Sequence, residues 1–140
     1  MTPPFDAHLL DDIVWRALSG AHARFAAGTA HARRYARGFS PIVGFANRLQ
    51  PDFDGFDDFC ERGEHFYCDG WSGPAPTGWT IDVETTMVKM IWASPDDIAD
   101  DLPDAIRLSA RDVAQAIELT ALTQPGPFGS RTIELGEYFG

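Results

Sequence analysis

Apolar residues recur at helical spacing in several stretches of this chain and at strand spacing in others. Residues 11–18 carry Ile13, Val14, Trp15, Ala17 and Leu18 behind Asp11 and Asp12, and Ser19-Gly20 closes the run, which predicts a first helix. Residues 21–27 predict a further short turn packed through Phe25. In residues 53–62, Phe53, Phe56, Phe59 and Cys60 share one face of an acidic segment, so a second helix is expected there with Gly63 as its C-cap. Strand patterns fall at 28–35, where Arg33 and Tyr35 oppose Ala32 and Arg34, at 65–68, and most clearly at 79–83 and 85–93, rich in β-branched and aromatic residues. Ser40-Pro41 reads as a helix start running on through Ile42, Val43, Phe45 and Ala46. Residues 71–78 form a turn-rich connector, 94–103 an acidic surface loop, and 105–108 a short strand.

The last quarter is the most sharply punctuated. Ser109 with Asp112 three residues on is a capping-box-like start. Val113, Ile117 and Ala121 then recur every fourth position beside Ala110 and Ala114, while Arg111, Gln115 and Glu118 line the other side. That predicts an amphipathic helix over 110–122, of about three to four turns. Pro125-Gly126-Pro127 stops it by withholding N–H donors. The order of elements is helices first, then β-β-β-α, a mixed α/β pattern. The 85–93 strand is expected to sit in a sheet that packs the Val113/Ile117/Ala121 face, which would make Ile117 a core residue.

Composition narrows the class. With 140 residues, 44% hydrophobic and 23% charged, the chain has the makings of one soluble globular unit. No apolar run approaches the about 18 residues of a membrane span, and the first residues lack a basic region with an apolar core, so membrane insertion and secretion find no support and a cytoplasmic location is expected. Charge is uneven: residues 1–50 hold six arginines against three aspartates, a balance of +3, and residues 51–140 hold five basic against eighteen acidic groups, a balance of −13. So acidic a body argues against nucleic acid as partner. Cys60 and Cys68 are expected as reduced thiols.

Candidate chemistry is sparse. Cys60, His65, Cys68 and Asp69 are all zinc-ligand types, but their spacing matches no compact ligand pair and Cys60 shares a face with phenylalanines, so no metal site is expected. The aspartates at 96, 97, 100, 101 and 104 lack the alternating order that wraps calcium. The chain contains no Gly-x-Ser-x-Gly elbow, Walker loop or Gly-x-Gly-x-x-Gly fingerprint.

The segment around Ala121-Leu122-Thr123, Pro125-Gly126-Pro127-Phe128, Arg131-Thr132, Glu134-Leu135-Gly136 and Tyr138 resembles the start of an acetyltransferase domain of the GNAT superfamily. More loosely, Trp15 to Leu18, His22 to Phe25 and Arg33-Arg34-Tyr35 resemble the N-terminal extension of some bacterial members. The resemblance implies an α/β chain divided into an extension over residues 1–104 and the first β-α part of a GNAT-like fold over 105–140, left incomplete. It implies acetyl transfer from acetyl-CoA to a small-molecule or peptide amine, with the loop after the helix shaping the acceptor cleft. Phe128 and Arg131 then become candidates for substrate contact. Glu134 becomes the candidate general base, with Glu137 beside it, provided burial raises the carboxyl pKa towards neutrality. The Arg/Gln-x-x-Gly-x-Gly/Ala loop that holds the cofactor pyrophosphate in that superfamily is absent from the 140 residues. This chain alone is therefore expected to bind no acetyl-CoA and to be inactive. The alternative reading is a non-enzymatic binding or dimerisation module derived from an acetyltransferase, whose exposed sheet edge invites a second copy or another chain.

Overall fold

The computed structural model describes residues 6–92 and 104–140. A first helix, α1 (Ile13–Ser19), follows a short 3-10 turn at Ala7–Leu10. A four-stranded mixed sheet comes next: β1 (Ala26–Gly28), β2 (Ala32–Tyr35), β3 (Ile42–Phe45) and β4 (Tyr67–Cys68). Its order is β1-β2-β3-β4, antiparallel across the first two pairs and parallel between β3 and β4. α2 (Val113–Thr123) and a 3-10 helix at Thr132–Leu135 complete the chain. The protein is thus mixed α/β.

Alternation along the two central strands decides what lies on each face of the sheet. Val43 and Phe45 join Ala32, Phe53 and Phe56 in one buried cluster, with Phe66, Cys68, Trp71 and Trp79 packed around it. On the opposite face, Leu18, Tyr35 and Phe39 form a second cluster with Val14, Phe25, Ile42 and Leu135. Val14 and Leu18, four residues apart, are the stripe α1 buries. Gly44 allows this packing, since a Cβ there would lie 3.0 Å from both the Trp15 nitrogen and a Val14 methyl. Arg33 follows the same alternation towards α1, its Nη1–H donating to the Leu18 carbonyl at 3.1 Å.

Several expectations are corrected. Residues 42–45 are strand β3 rather than a helix, because Val43 and Phe45 each gain a buried site by alternation. The Ser40 hydroxyl, expected as a helix cap, donates instead to the Pro127 carbonyl at 2.8 Å. The helix expected at 53–62 is a 3-10 helix at Asp54–Phe59 that ends on Cys60, so Gly63 is not its cap. Neither 79–83 nor 85–92 forms a strand, and Ala93 lies outside the described residues, as does the acidic loop at 94–103. The stretch is held at points: Trp79 Nε1–H donates to Asp57 at 3.1 Å, Asp82 pairs with His65 at 2.9 Å, and Lys89 Nζ reaches Asp69 at 2.6 Å and the Leu10 carbonyl at 2.9 Å. Period-two patterning supplies a strand with a face but not with a neighbour, and a strand exists only as part of a ladder.

α2 forms where its signals place it. The Asp112 carboxylate accepts from Ser109 N–H at 2.8 Å and Ser109 Oγ–H at 3.0 Å. Its expected packing is absent, however: no α2 residue is buried, and Ile117 is 37% exposed. Residues 105–108 pair instead with the chain's last residues, through Ile106 and Gly140 in both directions at 2.8 and 3.0 Å and Leu108 N–H to the Tyr138 carbonyl at 2.8 Å. Among the described residues no helix is long and apolar enough to cross a membrane.

Candidate functional site

The C-terminal loop brings part of the expected site together. Gln124 takes a left-handed conformation (φ 51°) at the end of α2, its N–H donating to the Thr120 carbonyl at 2.9 Å, and the chain reverses through Pro125-Gly126-Pro127. Phe128 is half-buried and meets Tyr138 edge-on at 5.9 Å between ring centres. Between α2, this loop and the exposed side of β4 lies a cavity of about 310 Å³, lined by Tyr67, Ile117, Ala121, Gln124, Pro127 and Phe128. Buried hydroxyls fix the loop against the sheet, with Thr132 Oγ1 accepting from Gly129 N–H at 2.9 Å and lying 3.2 Å from Ser40 Oγ.

Arg131 and Glu134 are placed elsewhere. Arg131 N–H donates to the Gly38 carbonyl at 2.7 Å, and its guanidinium lies 4.5 Å above the Phe39 ring. Its Nε–H and Nη2–H donate to the two oxygens of Glu134, each at 2.9 Å. This fork holds the Glu134 carboxyl below its ordinary pKa, the opposite of the rise a general base requires. Neither residue lines the cavity beside Phe128. Glu137 pairs with Arg107 at 3.0 Å. Of the three candidates, Phe128 lines this cavity, and Arg131 and Glu134 satisfy each other.

The zinc-type residues are likewise accounted for locally. Cys60 and Cys68 are free thiols against the aromatic cluster, and burial pushes each up to about 11. Among the described residues no group of three His, Cys, Asp or Glu side chains is arranged to hold a metal ion.

Two features go beyond what the sequence pattern predicts. The first is a row of large apolar side chains left outside: Val83, Met87, Val88, Met90 and Trp92 are from 69% to 86% exposed. Leu119 and Leu122 on α2 are also exposed, at 59% and 82%. The signal was present in Met87-Val88-Lys89-Met90-Ile91-Trp92, where polar alternation nearly disappears. The second is Arg34, only 4% exposed, whose guanidinium is forked onto Glu64 and lies 4.6 Å from the Phe66 ring centre. No periodicity marks an arginine as interior. No protein-family model, curated protein or solved structure matches this chain.

Proposed function

We propose that this chain is a binding and dimerisation module, located in the cytoplasm, that covers its apolar exterior with a second copy of itself. The observation that carries the reading is the exposed row from Val83 to Trp92, held to the body by isolated polar contacts. An isolated monomer normally avoids a contiguous apolar patch beyond a few hundred Å². Five large side chains in ten residues approach what one partner contributes to a standard interface, about 800 Å². A two-fold contact covers the same patch on both copies at once, so a single interface removes the exposure. α2 points the same way. A helix apolar on most of its positions and buried on none is stabilised by packing supplied from outside. Hydrogen exchange at low and high protein concentration tests this. Amides of residues 83–92 should exchange more slowly at high concentration while those of β2 and β3 stay unchanged. Rates in that stretch independent of concentration would refute it.

A second reading is an acetyltransferase fragment, with the 310 Å³ cavity as part of an acceptor cleft. What supports it is the resemblance around residues 121–138 together with the joint lining of that cavity by α2 and the loop after it. The ion-paired state of Glu134 counts against a base at that position. Titration with acetyl-CoA should give no saturable heat, since a pyrophosphate needs converging N–H donors and this loop carries two prolines. Saturable binding would restore a self-contained enzyme.

A further inference from the structure

β1 is an edge of the sheet. Ala36 N–H donates to the Phe25 carbonyl at 2.8 Å and Thr29 N–H to the Ala32 carbonyl at 2.7 Å. These bonds set the phase of the antiparallel ladder: Phe25, Ala27 and Thr29 bond towards β2. The Ala26 carbonyl and both backbone groups of Gly28 are therefore directed away from it. Ala26 N–H is taken up by the Ala23 carbonyl. Beside this edge lies a groove of about 540 Å³, lined by Ala23, Ala26, Gly28, Ala30, Arg33 and Phe59. Its lining includes both residues whose backbone groups face away from β2, Ala26 and Gly28.

One charge stands in that groove. Arg33 is the ladder partner of Gly28, and its guanidinium lies 5.7 Å from the Trp15 ring centre. Nε–H donates to the Thr29 carbonyl and Nη1–H to the Leu18 carbonyl, each at 3.1 Å. Three of its five N–H groups remain. Arg33, like Arg16, Arg24, Arg62 and Arg111, has no carboxylate partner among the described residues, and of these it is the one that lines the groove. Gly28 takes a left-handed-side conformation (φ 137°) that favours glycine. A Cβ there would sit 2.2 Å from the Ala32 carbonyl oxygen, so the position stays bare.

We infer that the outer edge of β1 takes up one extended peptide segment of a partner protein carrying an Asp or Glu side chain opposite Gly28. Backbone bonds to Gly28 and Ala26 give register, and the carboxylate meets the three free N–H groups of Arg33. A side-chain carboxylate fits better than a chain terminus because Arg33 stands on the face of the sheet that packs α1, not in the plane of the strands. The formal charge of −10 opposes an acidic ligand at long range, so selection rests on this short-range contact. The site is separate from the exposed apolar row and does not depend on dimerisation.

The probe is a capped pentapeptide, acetyl-Ala-Val-Glu-Val-Ala-amide, with its glutamine counterpart, titrated into the full chain and followed by backbone amide NMR shifts. The glutamate peptide should shift Ala26, Gly28 and Thr29 and bind about tenfold more tightly than the glutamine peptide, as one charge-assisted contact implies. Arg33→Gln should bring the two peptides to equal affinity. Because Arg33 also braces α1, Ala30→Glu serves as a second variant: it places a carboxylate in the groove at an exposed turn position and should abolish the preference with the fold intact. Equal binding of the two peptides to the wild-type chain, shifts confined to other surfaces, or no shifts at all would overturn the inference. Any of these results leaves the concentration dependence of residues 83–92 untouched.

Discussion

Replacing Glu64 by glutamine should cost the fold about 2–3 kcal/mol at neutral pH, and the cost should fade in acid. Arg34 is 4% exposed, between β2 and the aromatic cluster. Its Nε–H donates to the Tyr35 carbonyl at 3.0 Å, its Nη1–H to the Phe59 carbonyl at 2.9 Å and to Glu64 Oε2 at 2.8 Å, and its Nη2–H to Glu64 Oε1. Glutamine leaves the guanidinium charge in place without a counter-charge. Stripping one partner from a buried pair costs roughly 3–5 kcal/mol. Two retained carbonyls and a carboxylate that is itself 20% exposed bring this case just below that range. The pH dependence follows from the hydrogen bonds of Arg34 to Glu64, which hold the Glu64 carboxyl below its ordinary pKa. A depressed folded-state pKa contributes stability that is complete above the unfolded value, about 4.3, and is lost as pH falls through the folded value. Urea unfolding followed by tryptophan fluorescence, at neutral pH and down an acid series, reads both quantities. Glu61→Gln is the control, since its pair with Arg37 is more than half exposed at both ends and should contribute less than about 1 kcal/mol. A difference for Glu64→Gln below about 1 kcal/mol at neutral pH, or one that persists unchanged into acid, would refute the reasoning.

Other outcomes follow from burial. Phe56→Ala should destabilise by about 3–5 kcal/mol, because the ring is fully buried among Phe45, Phe66 and Trp79. Ile117→Ala should cost the monomer less than about 1 kcal/mol, because the side chain is partly in water; urea midpoints in the reverse order would place the core wrongly. Cys68, with its thiol pushed up to about 11 by burial, should react with iodoacetamide about a hundredfold more slowly than a free cysteine and speed up on unfolding. Equal rates in the native and unfolded chains would contradict its packing.

Local signals in the sequence are legible where the local chemistry suffices. Ser109 with Asp112, the Pro125-Gly126-Pro127 stop and the apolar run from Ile13 to Leu18 all mark real elements. Long-range pairing was not legible. Ile42, Val43 and Phe45 satisfy a helical start behind Ser40-Pro41 equally well, and only the presence of β2 and β4 on either side makes them a strand. Thr85 to Trp92 carries the composition of a central strand, yet no edge within the described residues pairs with it. The same gap misplaced Ile117, whose expected partner was that missing strand. At the candidate site, Phe128 reached a cavity because the proline corner aims it. Arg131 and Glu134 were drawn off by each other at a spacing of three residues, a pairing that the sequence itself displays.

The proposed function turns on one contact, that of the apolar row from Val83 to Trp92 with a second copy of this chain. Sedimentation velocity across a wide range of protein concentration tests it directly, with Val88→Asp/Met90→Asp as the comparison. Both side chains are more than four-fifths exposed, so the double variant keeps the monomer's circular dichroism and urea midpoint. The wild-type chain should pass from monomer to dimer as concentration rises, and the double variant should remain monomeric throughout. A wild-type chain that sediments as a monomer at every concentration, or a double variant that dimerises as readily, would contradict the account.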